Sequence, residues 1–200
     1  MATTAKQPKQ RVPAAERRDA LIAAAVEEFA LGGLHGTPVD RIARRVGVAQ
    51  PYVFSLFPTK RDLFIAAVER GFELTSDLFS ETAAEFRREH AGVDYPQNEM
   101  LRAFGIVYTE LLFSNRPMLM LQLQAYAACD DDTIRERVRA AYERLASRVQ
   151  ELTGIDDDHL NEFLSIGMWL NVQAAILGGE NVDGLCDWIK RLHPPEAPAG

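Results

Sequence analysis

The stretch Thr37–Lys60 reads TPVDRIARRVGVAQPYVFSLFPTK. Thr37 followed by Pro38 is the pattern of a helix start, a hydroxyl cap and then a proline at the first turn. Ile42, Ala43 and Val46 would form the inward face of that helix, leaving Asp40, Arg41, Arg44 and Arg45 outward. Gly47 suits the left-handed conformation that ends a helix, with Val48 packing the turn. Pro51 then fixes the first turn of a second short helix, with Val53 and Phe57 inward and Gln50, Tyr52, Ser55 and Leu56 outward. Helices this short are not stable alone, so the rest of the chain must hold them. Two arrangements satisfy the spacing equally: a helix-turn-helix presenting the tip of its second helix to a DNA groove, or an ordinary helical hairpin in a bundle.

Upstream, Leu21, Ala24, Ala25, Phe29 and Leu31 keep helical spacing from Glu16 onward, and Gly32-Gly33 is expected to stop that helix, with Leu34–Gly36 as a connection. Downstream, Thr59 with Asp62 three residues on resembles a capping box. A long helix is expected to follow through Phe64, Val68, Phe72, Leu78, Phe79 and Phe86, with a possible break near Gly71. His90–Gln97 reads as a loop. Further helices are expected at about Asn98–Ser114, Pro117–Ala128, Thr133–Thr153, His159–Leu177 and Val182–Leu192. The closing HPPEAPAG cannot continue a helix. No strand alternation and no internal repeat is found, so the fold class is all-α.

The 200 residues suffice for one large or two small domains. Hydrophobic residues make up 47% and charged ones 26%, the balance of an ordinary globular protein. Charge is uneven: residues 1–64 carry 10 Lys/Arg against 6 Asp/Glu, whereas residues 65–200 carry 12 against 23. A polyanion would therefore meet the N-terminal part. Apolar runs are interrupted before a membrane span is reached, the N-terminus lacks a signal-peptide core, and Cys129 and Cys186 form no metal or disulfide pattern. A cytoplasmic location is expected.

Residues 16–73, including AAVEEFALGGLHGTPVDRIARRVGVAQPYVFSLFPTKRDLF, resemble the DNA-binding domain of the tetracycline-repressor (TetR) family of bacterial regulators. Phe29 and its glycines, Thr37, Ile42-Ala43, Gly47-Val48, Phe57 and Lys60 fall in register with it. The resemblance implies an N-terminal three-helix helix-turn-helix domain (14–74) and a C-terminal helical effector-binding and dimerisation domain (75–200). It implies phosphate contacts from Thr37 and Lys60, and a reading surface on or beside Ala49, Gln50, Pro51, Tyr52, Phe54 and Ser55; Arg44 on the outward face joins this set. Gln50 suits adenine N6/N7, and Tyr52 a thymine methyl or a phosphate. The chain departs from the family at Ala49 (often Ser), Gln50-Pro51 (often Lys-Gly), Phe54 (usually Tyr) and Ser55-Leu56, so the usual contact set does not transfer whole, and Phe54 is expected to pack. Lys6, Lys9 and Arg11 form a basic arm, with Arg17 and Arg18 behind it, that could enter a minor groove or simply be solvated.

In the second half, MLRAFGIVYTELLF and MLMLQLQAYAA are apolar nearly all round and should lie centrally. Candidate ligand-pocket residues are Phe79, Phe104, Tyr108, Met118, Leu121, Gln122, Tyr126 and Trp169, although plain core is the stronger reading for any one of them taken singly. Gly167, Asn171, Ala174, Ala175 and Gly178 recur at intervals of three or four and are expected to pair two subunits. Asp130–Asp132 and Asp156–His159 sit just before helices, where carboxylates cap N–H groups; capping is favoured over metal binding or acid–base chemistry. The expectation is a homodimeric, sequence-specific DNA-binding regulator, a repressor released from a palindromic operator by a small hydrophobic effector. It would be neither an enzyme nor a membrane protein, and would need no metal or cofactor. The alternatives are a DNA-binding regulator without an effector, or a helical metal-dependent enzyme using the Asp/His clusters.

Overall fold

A computed structural model of the chain describes residues 13–178 and Gly184. The basic arm through Arg11, the helix expected at 182–192, Cys186, His193 and the Pro-rich tail lie outside the described residues. Among the described residues there are helices and no strands: α1 Ala14–Gly36, α2 Val39–Val46, α3 Gln50–Leu56, α4 Lys60–Glu89, α5 Gln97–Ser114, α6 Arg116–Ala127, α7 Asp132–Thr153 and α8 Asp157–Leu177.

The head, α1 to α3 with the start of α4, is built on one apolar stripe. Leu21, Ala24, Ala25 and Phe29 of α1 are buried, and Phe29 meets Phe64 of α4 edge-to-face at 5.0 Å. Ile42 and Ala43 of α2, Val53 of α3 and Phe57 close the same core. Gly47 ends α2 in the left-handed region (φ 73°), and Val48 N–H donates back to Ala43 O at 3.0 Å, closing the tight turn. Leu31, which shares the helical spacing of this stripe, is exposed: two residues on from buried Phe29, it points to the opposite side of the helix.

That break is at Gly33, with φ 60° and ψ −171°, a conformation essentially confined to glycine. The chain does not leave the helix for a loop, as expected of Leu34–Gly36, but turns once and resumes helical geometry to Gly36. The paired glycines have separate reasons. A Cβ on Gly32 would stand 2.6 Å from Thr37 Oγ1, and one on Gly33 2.5 Å from Gln124 Oε1 of α6. Gly32 makes room for the turn into α2, and Gly33 lets the end of α1 press against the body.

Thr59 and Asp62 form the reciprocal capping box (Asp62 N to Thr59 Oγ1 3.1 Å, Thr59 N to Asp62 Oδ2 2.9 Å) that starts α4. α4 then runs unbroken through Gly71, where a break seemed possible; one glycine costs a helix only about 1 kcal/mol, and Phe72, Thr75 and Phe79 beyond it are buried. The 74/75 domain boundary therefore falls inside a continuous helix. In the body, α6 packs against α1, α4, α5, α7 and α8, its contact with α1 being the most extensive. Arg61 of α4 reaches Asp131, just before α7, at 3.0 Å.

Both acidic clusters end in caps. Asp131 Oδ1 accepts from Ile134 N–H (3.1 Å) and Asp156 Oδ1 from His159 N–H (2.9 Å). His159 Nδ1 also lies 2.6 Å from Asp156 Oδ1. That bond raises the imidazole pKa above its usual 6.5, while the His159 amide and ring hold the Asp156 carboxyl below its usual 3.8. The contribution of His159 to stability is full below pH 6.5 and fades as pH rises through its raised value. That of Asp156 is full above pH 3.8 and fades as pH falls through its lowered value. An NMR titration should find His159 above 6.5, and Asp156→Asn, which can still cap, should return it toward that figure.

Gly33→Ala should destabilise the protein by roughly 1–3 kcal/mol through backbone strain, with a further loss from displacing Gln124. Adding Gln124→Ala should recover the steric part alone. Urea denaturation of the two variants separates the contributions, and equal stability of Gly33→Ala and wild type would contradict this account.

Candidate nucleic-acid interface and buried pocket

α3 has only seven residues and carries no charged side chain. Its cap residue Ala49 is extended (φ −79°, ψ 145°) and lends no side-chain bond, consistent with the missing hydroxyl, and Pro51 occupies its first turn. With Val53 and Phe57 turned into the core, the cap Ala49 and, on α3, Gln50, Pro51, Tyr52, Phe54 and Ser55 all reach the surface. Phe54 is 38% exposed, so the expectation that it packs inward is corrected. Phe54 follows Val53 directly and so points about 100° away from its core-facing direction. Leu56, expected outward, is half-buried against the core. The Ser55 hydroxyl donates to Tyr52 O at 2.7 Å, leaving its oxygen as an outward acceptor.

Two expected phosphate contacts change. Thr37 does not cap α2: Pro38 holds that position, and Thr37 ends α1 as its C-cap residue, its buried hydroxyl donating to Glu28 O at 3.0 Å. It is a structural bolt between α1 and α2, and its side chain is not presented to a phosphate. Lys60 Nζ donates to His35 O at 3.2 Å, the partly buried ammonium having its pKa lowered by desolvation. Arg44 is exposed and paired with Asp40 one turn earlier on α2.

Glu28 is the residue that sequence reading passed over. It is buried in α1; Oε1 accepts from Arg45 Nε at 3.1 Å and Oε2 lies 3.5 Å from Arg41 Nη1. Two arginines on the outward side of α2 thus fold back onto one inward carboxylate. The signal was present: Glu28 stands seven residues after Leu21 and four after Ala24, on the same inward stripe. At the other end of the head, the Arg18 guanidinium lies 4.9 Å from the Phe57 ring centroid.

The ligand candidates of the body separate. Phe79 stacks on Phe104 (centroids 4.7 Å apart, interplanar 9°), with Phe163 against both. Phe79, Tyr108 and Gln122 line a cavity of about 40 Å³ with Thr75, Phe163 and Asn171. Met118, Leu121 and Gln122 line a smaller void beside it, sharing Thr75 and Gln122 as a wall. Phe104 is wholly buried behind Phe79. A polar chain crosses this apolar region. Tyr126 Oη and Gln122 Nε2 are 2.8 Å apart, Gln122 Oε1 is 3.2 Å from Tyr108 Oη, and Tyr108 Oη is 2.7 Å from Asn171 Oδ1. Burial pushes the Tyr108 phenol up to about 12 and raises that of Tyr126 as well, so both stay neutral.

Trp169 does not join the pocket; it is 38% exposed on the outer side of α8, with Val172 at 46% and Ile176 at 72%. Gly167, Asn171 and Ala174, expected to face a second subunit, turn inward instead. Gly167 meets the Tyr108 ring, Asn171 bonds its hydroxyl, and Ala174 is buried. Ala175 is half-buried against the core, its carbonyl 3.5 Å from Arg116 Nη2, and Gly178 is the left-handed cap of α8. The small-residue stripe is needed inside, where α8 must approach α5 closely; α8 is apolar on both sides, so spacing alone did not say which stripe faces in.

Residues 21–67 match the model of the bacterial regulatory proteins of the tetR family. The HTH-type transcriptional activator FasR of Mycolicibacterium smegmatis is 40% identical over 60 residues, 30% of this chain and 27% of that protein. A TetR-like transcriptional regulator from Rhodococcus sp. RHA1 superposes with a TM-score of 0.65 at 22% identity, over 92% of this chain and 96% of that one. The regulator FadR of Bacillus subtilis, solved with stearoyl-CoA, does so with a TM-score of 0.71 at 17% identity, over 87% and 96%. The structural likenesses are likenesses of fold. Over residues 21–67 the head is thus similar to that of the tetR-family regulators, and the body has the all-helical architecture those structures share.

The Glu28 cluster predicts an asymmetry. Arg41→Ala with Arg45→Ala strands a buried carboxylate and should cost roughly 3 kcal/mol. Glu28→Gln leaves two half-exposed arginines that water can serve and should cost only about 1 kcal/mol. Denaturation curves of the two variants test the order; the reverse order would refute it.

Proposed function

We propose that this protein is a homodimeric, sequence-specific DNA-binding transcription regulator whose hold on a palindromic operator is altered by a small molecule in the body. The observation that carries the reading is the outward face of α3, five exposed residues with the cap Ala49 before them, on a head that matches the tetR-family model. Gln50 and Tyr52 would read base edges in the major groove. Arg44 and Lys60 would add charge at the backbone, Lys60 by releasing the His35 carbonyl. The neutrality of α3 leaves most of the electrostatic attraction to neighbouring arginines, Arg17 and Arg18 among them.

A seven-residue helix offers few base contacts, so two copies are needed for useful affinity. The occupant proposed for the outer face of α8 is the same face of a second chain, with the exposed Val172 and Ile176 at its centre. A two-fold axis there would set two α3 helices roughly 34–36 Å apart, one turn of DNA. Repression by occupying the operator is the simplest outcome, although FasR, the relative matched over the head, is called an activator. DNA binding is common to both signs of control.

The head and body share α4, and the end of α1 is fitted to α6 at Gly33. A ligand held among α4, α5, α6 and α8 would bias the separation of the two heads if it binds one arrangement better than the other. The FadR complex with stearoyl-CoA concerns that protein; here it supports only the idea that such bodies take ligands.

Selection from random duplex DNA with competitor present should recover a two-fold symmetric motif. Gln50→Ala should change the preferred base at one position in each half-site, while Ile176→Glu should yield a monomer in sedimentation that no longer selects the symmetric motif. Binding that is salt-sensitive but blind to sequence would defeat the proposal.

A further inference from the structure

Resting on the regulator reading above, we propose that the pocket enclosed by α4, α5, α6, α7 and α8 takes an uncharged, mainly apolar molecule through a single hydrogen-bond acceptor, which receives an N–H of Asn171 Nδ2. Asn171 is 1% exposed, lines the pocket, and its Nδ2 is a buried donor with no partner. The Tyr108 hydroxyl has one hydrogen and two nearby acceptors, Asn171 Oδ1 at 2.7 Å and Gln122 Oε1 at 3.2 Å. The shorter distance is that of a good O–H···O bond. With the Tyr108 hydrogen taken by Asn171 Oδ1, the amide nitrogen is what remains unspent. An unsatisfied buried N–H is costly and uncommon, and a ligand acceptor would remove the cost.

The rest of the wall decides the character of the ligand. Phe79, Leu145, Phe163, Leu164 and Met168 give the wall its apolar surface, beside the Tyr142 hydroxyl and a Thr75 hydroxyl that donates to Gly71 O, and none of the lining residues is Asp, Glu, Lys, Arg or His. A carboxylate or an ammonium group placed there would be desolvated without a counter-charge. The void of about 40 Å³ admits only water-sized occupants as it stands. Leu164 and Met168 of α8 are half-buried at its edge, and a methionine has the rotamer freedom to swing aside and admit a larger molecule.

Three probes of one shape isolate these features: acetophenone (neutral, one carbonyl), α-methylstyrene (the same outline with no such acceptor) and benzoate (an anion). Calorimetric titration of the full-length protein should show acetophenone binding about tenfold more tightly than α-methylstyrene, the worth of one buried hydrogen bond, and benzoate not at all. Asn171→Leu should bring acetophenone down to the α-methylstyrene level while leaving the latter unchanged; Tyr108 can then donate to Gln122. Should that variant fail to fold, the Asn171 side-chain amide resonance of the wild-type protein must move with acetophenone and not with α-methylstyrene. Binding of benzoate as tight as that of acetophenone, absence of binding by both neutral probes, or an Asn171→Leu protein with undiminished acetophenone affinity would each overturn the proposal. The DNA selection is separate. A symmetric motif with failed probes removes the ligand assignment alone, and the expected probe order without any DNA specificity removes the regulator reading alone.

Discussion

Two helices of eight and seven residues have no stability of their own, and everything the head offers to a partner depends on how they are held. They are held by one buried seam. Phe29 against Phe64 forms its floor, Ile42, Ala43, Val53 and Phe57 fill it, and Glu28 draws Arg41 and Arg45 across its edge. The apolar part is non-directional and supplies stability; the Glu28 cluster is directional and fixes how α2 is rotated on α1. Once α2 is fixed, the Gly47 turn leaves α3 one way to seat Val53 and Phe57. Leu56 then stays half-buried, and the remaining α3 side chains reach solvent.

The same helix that carries this seam also ties the head to the body. α1 ends against α6, and the approach is close enough that any side chain at Gly33 would meet Gln124. Arg61 and Asp131 make a second link, and α4 passes through both halves without interruption. A displacement of α4 or α6 in the body would thus be felt at the base of α2 and α3. Close-packed contacts of this kind have few intermediate arrangements, so a small change in the body tends to select between discrete positions of the head.

Within the body, polar groups are few and connected. Tyr126, Gln122, Tyr108 and Asn171 form a chain through rings and aliphatic side chains, and the chain ends in a donor with nothing to donate to. The phenols stay neutral because burial opposes their ionisation. The region is therefore selective in the sense that apolar pockets are: tolerant of shape, intolerant of charge, and particular about one hydrogen bond.

Much of this was legible from residue order. Helix starts and stops at Gly47, Pro51, Thr59, Asp131 and Asp156 follow from local chemistry, since a cap or a left-handed glycine depends only on a few neighbouring backbone groups. The all-helical class, the outward face of α3 and the central place of α5 and α6 follow from periodicity. What the sequence could not decide was which of two equivalent stripes faces inward. On α8 the small residues Gly167, Asn171 and Ala174 and the larger Trp169, Val172 and Ile176 have the same helical spacing, and only the demand of α5 for close approach sends the first set inside. Thr37 and Glu28 are parallel cases. A hydroxyl before a proline reads as a cap and a glutamate reads as surface, until packing brings Glu28 O to the one and two arginines to the other. Local signals end at about one helical turn, whereas burial is settled by neighbours far away in the chain.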